Sequence, residues 1–202
     1  MRMLFLIAWS TIAIAAELES VDTMAVTIGV DPTPKQMRVT VATSDADYDV
    51  NGTTSENLRV ALRVIGDLDD FEALCPIGGF ALSYGHYAVE EADLNAFDGQ
   101  FLFGGRFRPA TWISLDALVG LGLGYEVLTV PLYTGQRGDY LLWGLNGEAL
   151  LRLAVRPVRG MEVALEGGYW GLYTAWDATP QLAEATVSGP TLGGAVGLTW
   201  DW

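Results

Sequence analysis

Six oxygen-bearing residues, Asp45, Asp47, Asp49, Asn51, Thr53 and Glu56, fall at positions 1, 3, 5, 7, 9 and 12 of one short stretch. That is the spacing of a calcium-wrapping loop, in which about six to eight oxygens converge on one hard cation. The stretch departs from the pattern at its sixth position, where the sharp turn needs glycine. Val50 stands there, and the glycine comes two places later, at Gly52. No flanking helices are predicted. The competing reading is an acidic surface loop with an Asn-Gly turn. Calcium is the one cofactor the sequence suggests, and the alternative is none.

Other chemistry finds less support. His86 is the single histidine, and the nearest hydroxyl partner is Ser83. Three apart on a strand, the two would point to opposite faces, so a Ser-His hydrolase is not expected. Cys75 is the single cysteine, which excludes an internal disulfide and suggests a buried or turn-lining thiol. Gly120-Leu-Gly-Leu-Gly124 lacks the following helix that a nucleotide loop requires. Ser188-Gly-Pro lacks the strand–turn–helix setting of a nucleophile elbow. No enzyme is expected.

The elements that would position these residues repeat with a period of two. Leu192, Gly194, Val196, Leu198, Trp200 and Trp202 alternate with Thr191, Gly193, Ala195, Gly197, Thr199 and Asp201. Similar alternation runs through Met161–Tyr169, Leu141–Val155, Ile113–Tyr125, Phe97–Phe107, Phe80–Gly85, Leu58–Val64 and Met37–Ala42. That makes eight predicted strands over residues 36–202, an even number as a closed barrel requires. Connections at 108–111 and 156–160 are tight, and those at 44–57, 88–96, 128–139 and 174–187 are longer. The stretch at 66–75 is long for its place among the short turns. Met24–Val30 also alternates, but Asp31-Pro-Thr-Pro34 follows, and prolines do not sit inside a paired strand. It is read as part of an N-terminal extension, residues 17–35. Residues 1–16 read as an export signal: Arg2, an apolar stretch of about 15 residues, too short for the ~20 of a spanning helix, and the small-x-small Ala13-Ile-Ala15.

Alternation does not say which face is inside. A lipocalin-like soluble barrel or a β-sandwich would turn the apolar face inward. The polar face here is mostly Gly, Ala, Ser and Thr, and the chain has a single lysine, Lys35. A watered exterior would carry many Lys and Glu. Aromatics fall in two groups, Phe107, Trp200 and Trp202 near the tight turns, and Tyr84, Phe97, Tyr125, Trp143, Tyr169 and Tyr173 near the long loops. Two girdles suit two membrane interfaces. A net charge of −14 makes nucleic acid an unsuitable partner. With the apolar face outward, parity sends Arg38, Arg59, Arg63, Arg106, Arg152, Asp98, Asp116, Glu148, Glu162, Glu166 and Asp201 into the lumen. That set is nearly neutral, so paired charges filling a narrow bore are expected, and the excess negative charge goes to the loops.

The closing segment, with Leu192, Val196, Leu198, Trp200 and Trp202 at alternate positions and an aromatic at the end, resembles the C-terminal signal of outer-membrane barrels. With the Arg-Pro turns, the chain is similar in architecture to the small OmpA-like, OmpX-like and opacity-type barrels. The resemblance implies an all-β, closed, antiparallel transmembrane barrel in the bacterial outer membrane. It implies outer-membrane lipid and the barrel-insertion machinery as partners, and a monomer. A structural or surface-interaction role with acidic extracellular loops is expected. A narrow pore for small solutes and an envelope lipid-modifying enzyme are the alternatives.

Overall fold

The computed structural model describes residues 23–68, 74–178 and 181–201. The expected export signal at 1–16, residues 17–22 of the extension and Trp202 lie outside the described residues. Ten strands follow one another: β1 Thr23–Asp31, β2 Gln36–Ala42, β3 Asp47–Thr53, β4 Glu56–Asp67 and β5 Leu74–Val89. Then come β6 Ala92–Ala110, β7 Ile113–Pro131, β8 Arg137–Val158, β9 Met161–Ala178 and β10 Gln181–Asp201. The sheet runs β1-β4-β5-β6-β7-β8-β9-β10 and closes through an antiparallel β1–β10 pairing, giving a ring of eight. The β2–β3 hairpin is attached to β10.

The expected fold class is therefore observed, and the count of eight is right, but one member of the ring is different. β1 belongs to the ring, and the β2 segment does not. Asp31-Pro-Thr-Pro-Lys35 ends β1 without breaking the barrel, because β1 and β2 share β10 end to end. Val30 to Thr23 pair with Gly194 to Asp201, and Gln36 to Ala42 pair with Ser188 to Leu182. The linker bridges the gap between them. Thr33 Oγ1 accepts from the Leu192 amide at 2.9 Å, and the buried Lys35 ammonium donates to Asp31 at 2.8 Å and to the Pro190 carbonyl at 2.5 Å.

The outer surface of the ring carries a belt of apolar side chains. Phe101, Phe103, Leu121, Leu123, Leu145, Leu151, Leu165, Leu192 and Leu198 are all exposed. From Phe97 to Phe107, at about 3.3 Å per residue and a tilt near 40°, the belt is about 25 Å tall, the height of a hydrocarbon core. Tyr84, Phe97, Tyr125 and Trp143 are direct partners on four adjacent strands. Tyr84 and Phe97 lie 4.9 Å apart, and Tyr125 meets Trp143 edge-on at 5.5 Å. They form one side of the upper aromatic girdle.

Strands β5–β10 are 16–22 residues long. A crossing needs about 9–11 residues. The surplus runs on beyond the belt, so much of the sequence read as long loops at 88–96 and 128–139 is continued strand. There the polarity inverts without a change of parity. Met37, Val39, Val41, Leu94, Leu128, Val130, Leu142, Leu172 and Val187 turn inward onto one buried apolar cluster. Asp47, Asp49 and Asp139 face water. The barrel is lipid-facing in its lower storey and packs like a soluble barrel in its upper one.

Candidate functional site

The charged bore is built by cross-strand register. Arg106 on β6 stands opposite Asp116 on β7, Asp116 opposite Arg152 on β8, and Arg152 opposite Glu166 on β9. Alternating signs on directly paired positions attract rather than repel. Arg106 bonds Asp116 at 2.8 Å, and Arg152 reaches Asp116 at 3.2 Å, Glu166 at 3.3 Å and also Glu162. From β4, Arg63 bridges Glu166 at 2.9 Å and Glu148 at 3.5 Å, and Arg59 bonds Glu148 at 2.8 Å. At the tight-turn end Asp67 holds Arg106 at 2.9 Å and also Arg108, while Arg156 meets Glu162 at 3.5 Å. Above, Ser83 lies between Arg59 and Asp98, and Asn146 donates to Asp98 at 3.0 Å.

These groups are withdrawn from water: Arg106, Arg152, Asp116 and Glu162 are each 0% exposed. Charges buried this deeply persist only when each finds several partners. Beside them, Ile65, Ile77, Leu102, Leu118 and Leu150 fill the rest of the lower lumen. The top of the network is closed by aromatic rings. Trp170, fully buried, stacks on Tyr87 at 5.4 Å, and the Arg59 guanidinium lies 4.9 Å from its ring centroid. That geometry is a cation–π contact.

Of the expected lumen residues, Arg59, Arg63, Asp98, Arg106, Asp116, Glu148, Arg152, Glu162 and Glu166 are buried inside the ring. Arg38 is a correction. It is exposed on β2, because in the upper storey the apolar alternates Met37 and Val39 take the inside. The Asp201 side chain lies outside the described residues. Sequence reasoning missed Asp67, Arg108, Glu126 and Arg156. Each has the inward parity of its own strand: Arg108 follows Arg106, Arg156 follows Arg152, Glu126 follows Gly124, and Asp67 follows Arg63. Extending parity past the assumed strand ends would have found them.

The acidic stretch takes another form than the expected loop. Asp47–Thr53 is strand β3, and Asp47, Asp49, Asn51 and Thr53 stand along its exposed face. Spread over about 20 Å of extended chain, they do not converge on one ion. Asp45 and Glu56 flank the strand. Val50 occupies the sixth position because its side chain is buried in the upper apolar cluster. Among the described residues no group of three or more His, Cys, Asp or Glu is arranged to hold a metal. Asp49→Asn is expected to leave stability within about 0.5 kcal/mol, as an exposed substitution with one weak Thr40 contact. Urea unfolding in detergent micelles measures it.

Ser83 faces the bore, whereas His86 sits at the rim with Asn95 at 3.1 Å and Glu56 at 3.7 Å. The two do not form a catalytic pair. Leu192, Val196, Leu198 and Trp200 all face outward on β10.

No protein family and no curated protein matches the sequence. Solved structures of similar shape include Ail, the attachment invasion locus protein of Yersinia pestis, at 17% identity, TM-score 0.44, over 90% of this chain and 100% of that one. Neisserial surface protein A is similar at 14% identity, TM-score 0.47, over 85% of this chain and 96% of that one. The translocator domain of the autotransporter NalP from Neisseria meningitidis is similar at 12% identity, TM-score 0.44, over 98% of this chain and 68% of that one. At these values the likeness is one of shape.

Proposed function

We propose that the chain is a bacterial outer-membrane barrel with a sealed bore, serving a structural or surface-interaction role through its upper storey. The single observation that carries the sealed bore is the unbroken ionic network across it. Arg59, Arg63, Arg106, Arg108, Arg152 and Arg156 interlock with Asp67, Asp116, Glu148, Glu162 and Glu166 beneath the Trp170–Tyr87 pair. An eight-stranded ring is only wide enough for its own side chains.

The surface role is supported by the upper storey's outer face. Asp45, Asp47, Asp49, Glu56, Glu90, Glu91 and Asp139 are exposed there, on β3, β4 and β8 and in the connections beside β3 and β5. Such a face suits a cationic partner or lipopolysaccharide-bridging ions. Insertion through the aromatic-ended C-terminal strand and export through residues 1–16 belong to the same reading.

Recording from folded protein in planar bilayers tests the sealed bore. No steady conductance is expected from the wild type. Large, stable, single-channel steps would overturn it in favour of a narrow pore.

A further inference from the structure

Glu126 follows the girdle residue Tyr125 on β7, and its direct cross-strand partners are Ala96 on β6 and Leu142 on β8. Both partners are fully buried members of the upper apolar cluster. Glu126 is fully buried as well, so its carboxyl sits where the charged bore meets the dry upper storey. Neither of its oxygens has a hydrogen-bond donor among the described residues.

A second acid crowds that carboxyl. Asp98 on β6 is paired with Gly124 on β7, and a Cβ on Gly124 would collide with both Glu126 Oε1 and Asp98 Oδ1. The two oxygens therefore converge on one spot of the inner wall. Asp98 is the better provided of the two: Ser83 donates to its Oδ2 at 3.3 Å and Asn146 to its Oδ1 at 3.0 Å. The other titratable side chains described on the surrounding strands are engaged elsewhere. Arg59 on β4 bonds Glu148 on β8 at 2.8 Å and lies against the Trp170 ring on β9, and Tyr87 on β5 stacks on the same ring. The described charge acting on Glu126 is Asp98, of like sign.

Two ionised carboxylates so placed repel each other, and burial makes each charge costly. A single proton removes both difficulties. Protonation turns one oxygen of Glu126 from an acceptor into a donor, and Asp98 Oδ1 stands beside it to accept. We propose that Glu126 keeps its proton at neutral pH and shares it with Asp98, making the pair an alkali-sensitive latch at the top of the bore. The pair then carries one negative charge instead of two. When alkali strips the proton, like charges meet beneath the apolar storey and the folded barrel weakens. The latch rests on the packing of the interior and is independent of the surface role.

The test compares the full barrel with Glu126→Gln, both refolded into detergent micelles and unfolded by urea across a pH series. Glutamine matches the protonated acid in shape and does not titrate. In the unfolded chain a glutamate ionises at about pH 4.3. Between that pH and neutrality the folded wild type retains a proton that its unfolded chain has released, so wild-type stability is greatest at the acid end and falls as pH rises. The ratio of the wild-type folding constant to the variant's is expected to drop about tenfold per pH unit between about pH 5 and 7. Parallel profiles, with that ratio constant, would overturn the latch. Carbon NMR of the Glu126 carboxyl in the wild type at neutral pH gives a second readout that needs no variant. The resonance of a protonated acid supports the latch, and that of an ionised carboxylate overturns it.

Discussion

Arg152→Met is expected to destabilise the folded barrel by about 3–5 kcal/mol, the cost of breaking a buried ion pair from one side. Arg152 is 0% exposed and joins three carboxylates, Asp116, Glu162 and Glu166. Methionine matches much of its volume, so the loss is electrostatic: three acids are left facing one another with fewer cations. Urea unfolding in micelles measures it, and a heat-modifiability gel reports whether the folded band survives. Adding Glu162→Gln and Glu166→Gln to the same chain is expected to recover part of the loss, since removing both partners costs less than orphaning one. A single-variant cost under about 1 kcal/mol, the range of exposed pairs, would show that water already screens the network and that the bore is open.

Leu121→Arg probes the outer face with comparable force. Leu121 lies mid-belt on β7 and is 68% exposed. If that exposure is to acyl chains, arginine there costs about 2–4 kcal/mol. Folding yield into lipid vesicles should fall accordingly. Thr129→Arg, on the outward face of the same strand but in the upper storey, should change stability by no more than about 0.5 kcal/mol. If Leu121→Arg instead made the chain more soluble without detergent at undiminished stability, the belt would not face lipid.

Much of the interior was legible because parity in a strand is rigid. Once Arg106 is assigned to the inside, Asp98, Asp116 and Arg152 follow by counting in twos and matching polarity. What counting could not give was register. That Arg106, Asp116, Arg152 and Glu166 stand in one row depends on how far each strand slides past its neighbour. Strand ends were also hidden, because polarity changes where the chain leaves the membrane. Glu126 was missed and Arg38 misplaced for that reason: one lay past an assumed end, and the other in a storey where the rule of greasy side outward reverses.

The amino-acid order by itself determined a two-residue period and seven of the eight ring strands, since these depend on each strand's own alternation, and its small polar face and single lysine pointed to an outward apolar belt. Only tertiary structure decided that β1 and β2 share the length of β10. It also turned the acidic stretch into an exposed strand and locked the bore's charges in rows. The physical reason is that alternation fixes two faces for every strand, but only closure of the sheet between lipid below and water above tells each face what it meets.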